Sequence, residues 1–77
     1  MLFGLDGLCP GERATVIYMG TQKTLAARLK DFGFVPGTSV YCCYRGPGCK
    51  VTALRCRGST IALRTCDLKN ILVRTDG

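Results

Sequence analysis

The sequence predicts a mainly β domain, a small barrel or sandwich of about five short strands with one α-helix between the first and second strands. Three observations carry this. Several short runs rich in β-branched and aromatic residues alternate in polarity, as half-buried strands do. Turn residues separate them at roughly eight to twelve residue intervals. Only the stretch 21–38, TQKTLAARLKDFGFVPGT, carries a clear helical period.

The opening segment holds Leu2, Phe3, Leu5 and Leu8, broken by Gly4, Gly7 and Cys9-Pro10-Gly11. Leu5 and Leu8 are expected to tie it to the core before Pro10-Gly11 turns the chain. Ala14–Met19 is the first predicted strand, and Gly20 ends it. In the helix, Leu25, Leu29 and Phe32 fall on one face at about 3.6 residues per turn. Thr21 is expected to cap its start, with Thr24 the second candidate. Gly33 suits the left-handed position just past its end, and Pro36 prevents a restart. Phe34 and Val35 are expected to pin the exit loop to the core, and Val35–Thr38 to form a turn with Gly37 at its third position.

The second strand is Ser39–Arg45, with Val40, Cys42 and Tyr44 on one face and Tyr44 buried. Gly46-Pro47-Gly48 is a loop. Cys49–Arg57 forms the third strand, with Leu54 and Cys56 facing one way and Arg55 and Arg57 the other. A tight turn at Gly58-Ser59 leads to the fourth strand, Thr60–Arg64. A single helical turn spans residues 66–69, with Asp67 available as a cap, and Asn70–Arg74 is the fifth strand. Leu29, Ile61, Leu63, Ile71 and Val73 are read as core, and the tail 75–77 as frayed.

At 77 residues the chain reads as one domain, 1–77. It has no apolar run of membrane-spanning length and no secretory signal, so a cytoplasmic product is expected. Eleven basic residues stand against five acidic ones, a net charge of +6. Past Ser39 the basic residues are Arg45, Lys50, Arg55, Arg57, Arg64, Lys69 and Arg74. Such a surface favours acidic partners, although solvated arginines on an outer sheet face are the ordinary reading.

The six cysteines, Cys9, Cys42, Cys43, Cys49, Cys56 and Cys66, have no C-x-x-C pair, and there is no histidine. Neither zinc nor iron–sulfur spacing is matched. They read as small apolar residues or surface thiols in a reducing compartment. Cys42, Cys43 and Cys49 are the candidates should distant thiols assemble a metal site, and no cofactor is expected. With no histidine and no phosphate-binding G-x-x-x-x-G-K-[ST] loop, the chain is not expected to be an enzyme.

The run RLKDFGFVPGTSV (28–40) places Arg28, Leu29, Gly33, Phe34, Pro36, Gly37 and Val40 in the pattern R-L-x-x-[LM]-G-[FI]-x-P-G-x-x-V. The run 56–73 places Arg57, Gly58, Ile61, Ala62, Leu63, Arg64, Ile71 and Val73 in V-R-G-x-x-[IL]-A-L-R-x-x-x-A-x-x-I-x-V. On these two runs the chain resembles the FeoA family. Phe32 departs from the pattern within a position expected to be buried, and Cys56 replaces valine. The resemblance implies an SH3-like small β-barrel. It implies a cytosolic accessory protein of bacterial ferrous iron uptake, whose partner is the FeoB transporter with its GTPase domain. The same module ends iron-dependent DtxR-type repressors, but this chain is too short to hold their helix-turn-helix part.

Three functions follow as expectations. The first is an interaction module on the FeoB GTPase region, docking through the outer helix residues Lys23, Ala27 and Lys30, the Gly46–Gly48 loop, and Arg64. The second is a basic barrel binding nucleic acid through Tyr41 or Tyr44, although no nucleic acid is expected as the main partner. The third is a cysteine-based metal-binding protein. Most motif residues read as fold-defining; Arg28 and Arg64 either pair with Asp31 or Asp67 or face a partner. An unpaired barrel edge leaves a homo-oligomer open.

Overall fold

In the structure, a computed structural model describing residues 1–75, six antiparallel strands form one sheet ordered β1-β6-β2-β3-β4-β5. The strands are β1 (Leu2–Gly4), β2 (Arg13–Met19), β3 (Ser39–Arg45), β4 (Val51–Cys56), β5 (Ser59–Arg64) and β6 (Ile71–Arg74). Helix α1 (Lys23–Asp31) lies between β2 and β3, and a single turn α2 (Thr65–Leu68) between β5 and β6. The sheet coils around a core of Leu5, Leu8, Val16, Leu29, Phe34, Leu54 and their neighbours. This is the mainly β arrangement, with one longer helix between the first two predicted strands, that the sequence predicts.

The strand at Leu2–Gly4 is additional to the five expected. Three residues carry too little pattern to announce a strand; β1 exists because it pairs with Leu72–Arg74 of β6. Leu5 and Leu8, on and after a 3-10 turn, are fully buried, as expected. Thr75 is not frayed: its N–H donates to the Met1 carbonyl at 3.3 Å. The expectation for Asp76 and Gly77 lies outside the described residues.

Helix α1 is capped by neither threonine and begins at Lys23, between the starts that Thr21 and Thr24 would give. Gln22 occupies the cap position and makes no side-chain bond, and the buried Thr21 Oγ1 has no hydrogen-bond partner. The helix ends as expected. Gly33 sits at φ +79°, its N–H donates to the Lys30 carbonyl at 2.9 Å, and the Phe34 N–H donates to the Leu29 carbonyl at 3.0 Å. This is a Schellman closure, and its apolar contact is Leu29 with Phe34, both in the core. The following turn also matches: Thr38 N–H donates to the Val35 carbonyl at 3.1 Å, with Gly37 at φ +93°.

Two expectations about facing are overturned. Phe32 is 48% exposed, because the cap turns it away from the face that buries Leu29. Tyr44 is 57% exposed: the register slips between Cys42 and Tyr44, so Cys43 is the extra residue of a bulge and the alternation breaks there. Ile61 and Leu63 face the core as expected and pack against it, half-buried because β5 is an edge strand.

The β4–β5 turn is shifted by one residue. Arg57 (φ +52°) and Gly58 (φ +83°) are its central pair, with Cys56 opposite Ser59, the signature of a two-residue type I′ hairpin. Strand β4 starts at Val51; Cys49 instead lies in a 3-10 turn at φ +56°. In α2 Asp67 caps nothing. Its carboxylate pairs with Arg64.

Candidate functional site

A groove of about 790 Å³ lies between α1 and the edge strand β5. Helical phase builds one wall. Leu25, Arg28 and Phe32 stand three and four residues apart, so they form one stripe along α1. Ile61, Ala62 and Leu63 of β5 form the other wall. Arg28, Arg64 and Lys69 give the groove a basic rim.

The backbone of β5 is open on this flank. The hairpin turn makes Cys56/Ser59, Leu54/Ile61 and Thr52/Leu63 the hydrogen-bonded pairs. The N–H and C=O groups of Thr60 and Ala62 therefore point away from β4, and no strand covers them. An apolar trough beside a free strand edge accommodates an extended polypeptide better than a small molecule.

The structure divides the expected docking residues. Arg64 lines the groove, and its Nε donates to Asp67 Oδ2 at 3.0 Å, the one ion pair among the described residues. Arg28 lines the groove without such a partner. Lys23, Ala27 and Lys30 are exposed on α1 but outside the groove lining. The Gly46–Gly48 loop is also outside it and closes on itself, the Gly46 N–H donating to the Val51 carbonyl at 2.7 Å. Leu25, Phe32 and Lys69 were missed as site residues. The phase of Leu25, Leu29 and Phe32 was the available signal, read as one core-facing stripe because nothing local marks where the core ends.

Of the remaining motif residues, Gly33, Phe34, Pro36, Gly37 and Gly58 build the helix exit and the turns. The Gly33 carbonyl accepts from Thr38 Oγ1 at 3.0 Å and from the Cys56 thiol at 3.8 Å. The positive φ is what calls for glycine here; a β-carbon would also stand 2.5 Å from Cδ of the exposed Arg57, whose side chain would have to shift.

The cysteines are dispersed. Cys42 and Cys56 are buried, Cys43 is half-buried at the bulge, and Cys9, Cys49 and Cys66 are exposed. Among the described residues no three Cys, Asp or Glu side chains converge on a metal-sized position. Cys42, Cys43 and Cys49 fail to converge because Cys42 faces the core, Cys43 bulges out and Cys49 lies in the next turn. Burial pushes the Cys42 thiol up, partly opposed by Arg45; burial likewise raises Cys56, opposed by Arg57. Both stay protonated where ordinary thiols begin to ionise. We expect Ellman's reagent at mildly alkaline pH to label Cys9, Cys49 and Cys66 rapidly, and Cys42 and Cys56 only on unfolding. Rapid labelling of Cys42 in folded protein would show that this part of the core opens.

Among the described residues, no helix is long and apolar enough to cross a membrane. The profile of the FeoA domain family matches residues 3–75. No curated protein matches the chain in sequence. Among solved structures, it is similar to a FeoA-like protein from Clostridium acetobutylicum, with 29% identity and a TM-score of 0.85, covering 99% of this chain and 88% of that one. It is similar to the FeoA of Stenotrophomonas maltophilia, a zinc complex described as a prokaryotic SH3 domain protein and a candidate ferrous iron transport activating factor. That match has 26% identity and a TM-score of 0.78, covering 91% of this chain and 87% of that one. The FeoA protein of Chlorobium tepidum superposes with a TM-score of 0.91 at 24% identity, covering 96% of this chain and 70% of that one, which speaks to the fold alone.

Proposed function

The chain belongs to the FeoA domain family, which is associated with ferrous iron transport, and from that premise we propose that it is a cytosolic accessory module that docks on the GTPase region of a FeoB-type transporter. The observation that supports this most is the α1–β5 groove, with its apolar trough, basic rim and free strand edge. An extended segment of the partner adds to β5 through Thr60 and Ala62, seats an apolar side chain against Leu25, Phe32 and Leu63, and sets carboxylates against Arg28 and Arg64. Lys23, Ala27 and Lys30 flank the docked partner on the outer face of α1. The role is regulatory, and no reaction is assigned to the chain.

The test is affinity of the reduced chain for the purified cytosolic GTPase domain, and for the full transporter in detergent, at physiological salt. Arg28→Glu with Arg64→Glu is expected to weaken binding at least about tenfold, and Lys23→Glu with Lys30→Glu by about twofold to fivefold. The lost surface ion pair costs the fold only about 0–1 kcal/mol, so the variant stays folded. Unchanged affinity in both variants would remove this surface, and absence of wild-type binding to either target would remove the partner.

A further inference from the structure

The opposite side of the sheet carries a second feature, and pairing register creates it. Arg13 of β2 stands opposite Tyr41 of β3, and Tyr41 stands opposite Arg55 of β4. Residues directly opposite in antiparallel strands share a face, so the three side chains form one row across neighbouring strands. At about 4.8 Å per strand, the two arginines begin about 10 Å apart with the phenol between them. Arg57 and Gly58 at the hairpin close one end, and Ser39 lies alongside, enclosing a concavity of about 510 Å³. The residues of this concavity are absent from the α1–β5 groove.

Three arginines line this concavity, and among the described residues none is paired with a carboxylate. Like charges on one small face repel, and nothing in the fold requires them: the core side of the same strands is filled by Ala14, Val40, Cys42, Leu54 and Cys56. Guanidinium forks bind carboxylate or phosphate in bidentate fashion.

We propose that the Arg13–Tyr41–Arg55–Arg57 face is a second docking surface, and that it takes an acidic polypeptide segment, with carboxylates on the arginines and one side chain entering the concavity beside Tyr41. Two features favour a polypeptide over other anions. Among the described residues Tyr41 is the single aromatic residue lining the concavity and is half-buried, so the successive rings of a base-stacking platform are missing from it. The surface is concave, so a side chain enters it and a flat anionic bilayer does not. The proposal does not depend on the identity of the partner at the groove.

The experiment is fluorescence anisotropy of the full chain with a labelled peptide of alternating glutamate and tyrosine, at low and at raised salt. Labelled oligothymidylate and phosphatidylserine vesicles are run beside it. The wild type is expected to bind the peptide at low salt and to lose it as salt rises. Arg13→Glu with Arg55→Glu is expected to weaken binding at least about tenfold, and Arg55→Gln alone about threefold. Arg28→Glu with Arg64→Glu is expected to weaken it by no more than about threefold, through long-range charge alone. Circular dichroism confirms folding of each variant; the single neutral substitution keeps the test decisive if the double reversal does not fold. No binding at low salt, equal loss in the groove variant, or tighter binding of the oligonucleotide or the vesicles would each overturn the proposal.

Discussion

Phe34→Ala is expected to lower the melting temperature by roughly 15 °C or more. Phe34 is 0% exposed and the largest of the fully buried side chains. Truncating such a ring costs about 3–5 kcal/mol, from lost transfer energy and the cavity left behind. In a domain of this size each kcal/mol moves the midpoint by about 4–8 °C. Total stability is on the order of 4–12 kcal/mol, so the variant approaches unfolding. Position adds to volume here. Phe34 is the residue whose N–H closes α1 on the Leu29 carbonyl, so the ring holds the helix end against the sheet. Thermal denaturation under reducing conditions, with Phe34→Leu as the volume-sparing comparison, reads this out. A fall below about 5 °C would mean that the site collapses around the cavity and that the helix exit does not depend on the ring.

Arg45→Met is expected to cost about 2–3 kcal/mol, the scale of hydrogen bonds made by a charged donor together with the carbonyls they leave stranded. Arg45 Nη2 donates to the Leu8 carbonyl at 2.7 Å and also to the Asp6 carbonyl. It thereby clamps the end of β3 to the N-terminal segment that delivers Leu5 and Leu8 to the core. Its Nε is buried without a partner, so part of the desolvation cost is already met in the wild type. Methionine keeps the apolar stem, so the difference isolates the guanidinium. Urea unfolding measures it. A loss under about 0.5 kcal/mol would show that water replaces the clamp at no cost.

Arg45 also marks the limit of reading residues one at a time. In the sequence it counts with the other basic residues of the second half, and in the fold it is an internal donor to carbonyls 37 and 39 residues away. Conversely, Arg13, Arg55 and Arg57 are ordinary strand and turn residues until register sets them round Tyr41. The cysteines look like a set in composition and separate in space.

What the sequence determined by itself was whatever local chemistry decides. The helix exit at Gly33 and the turn at Gly37 need positive φ, which glycine supplies without a β-carbon penalty, so both were legible. The Ser39–Arg45 and Thr60–Arg64 strands were legible from β-branched and alternating residues. The tertiary structure alone decided β1, the bulge at Cys43, the exposure of Phe32 and Tyr44, and the groove beside β5. Each depends on which strand lies next to which, and therefore on pairing between residues distant in the chain. Alternation says which residues share a face. Only the closed register says which face is covered, and where a bulge reverses it.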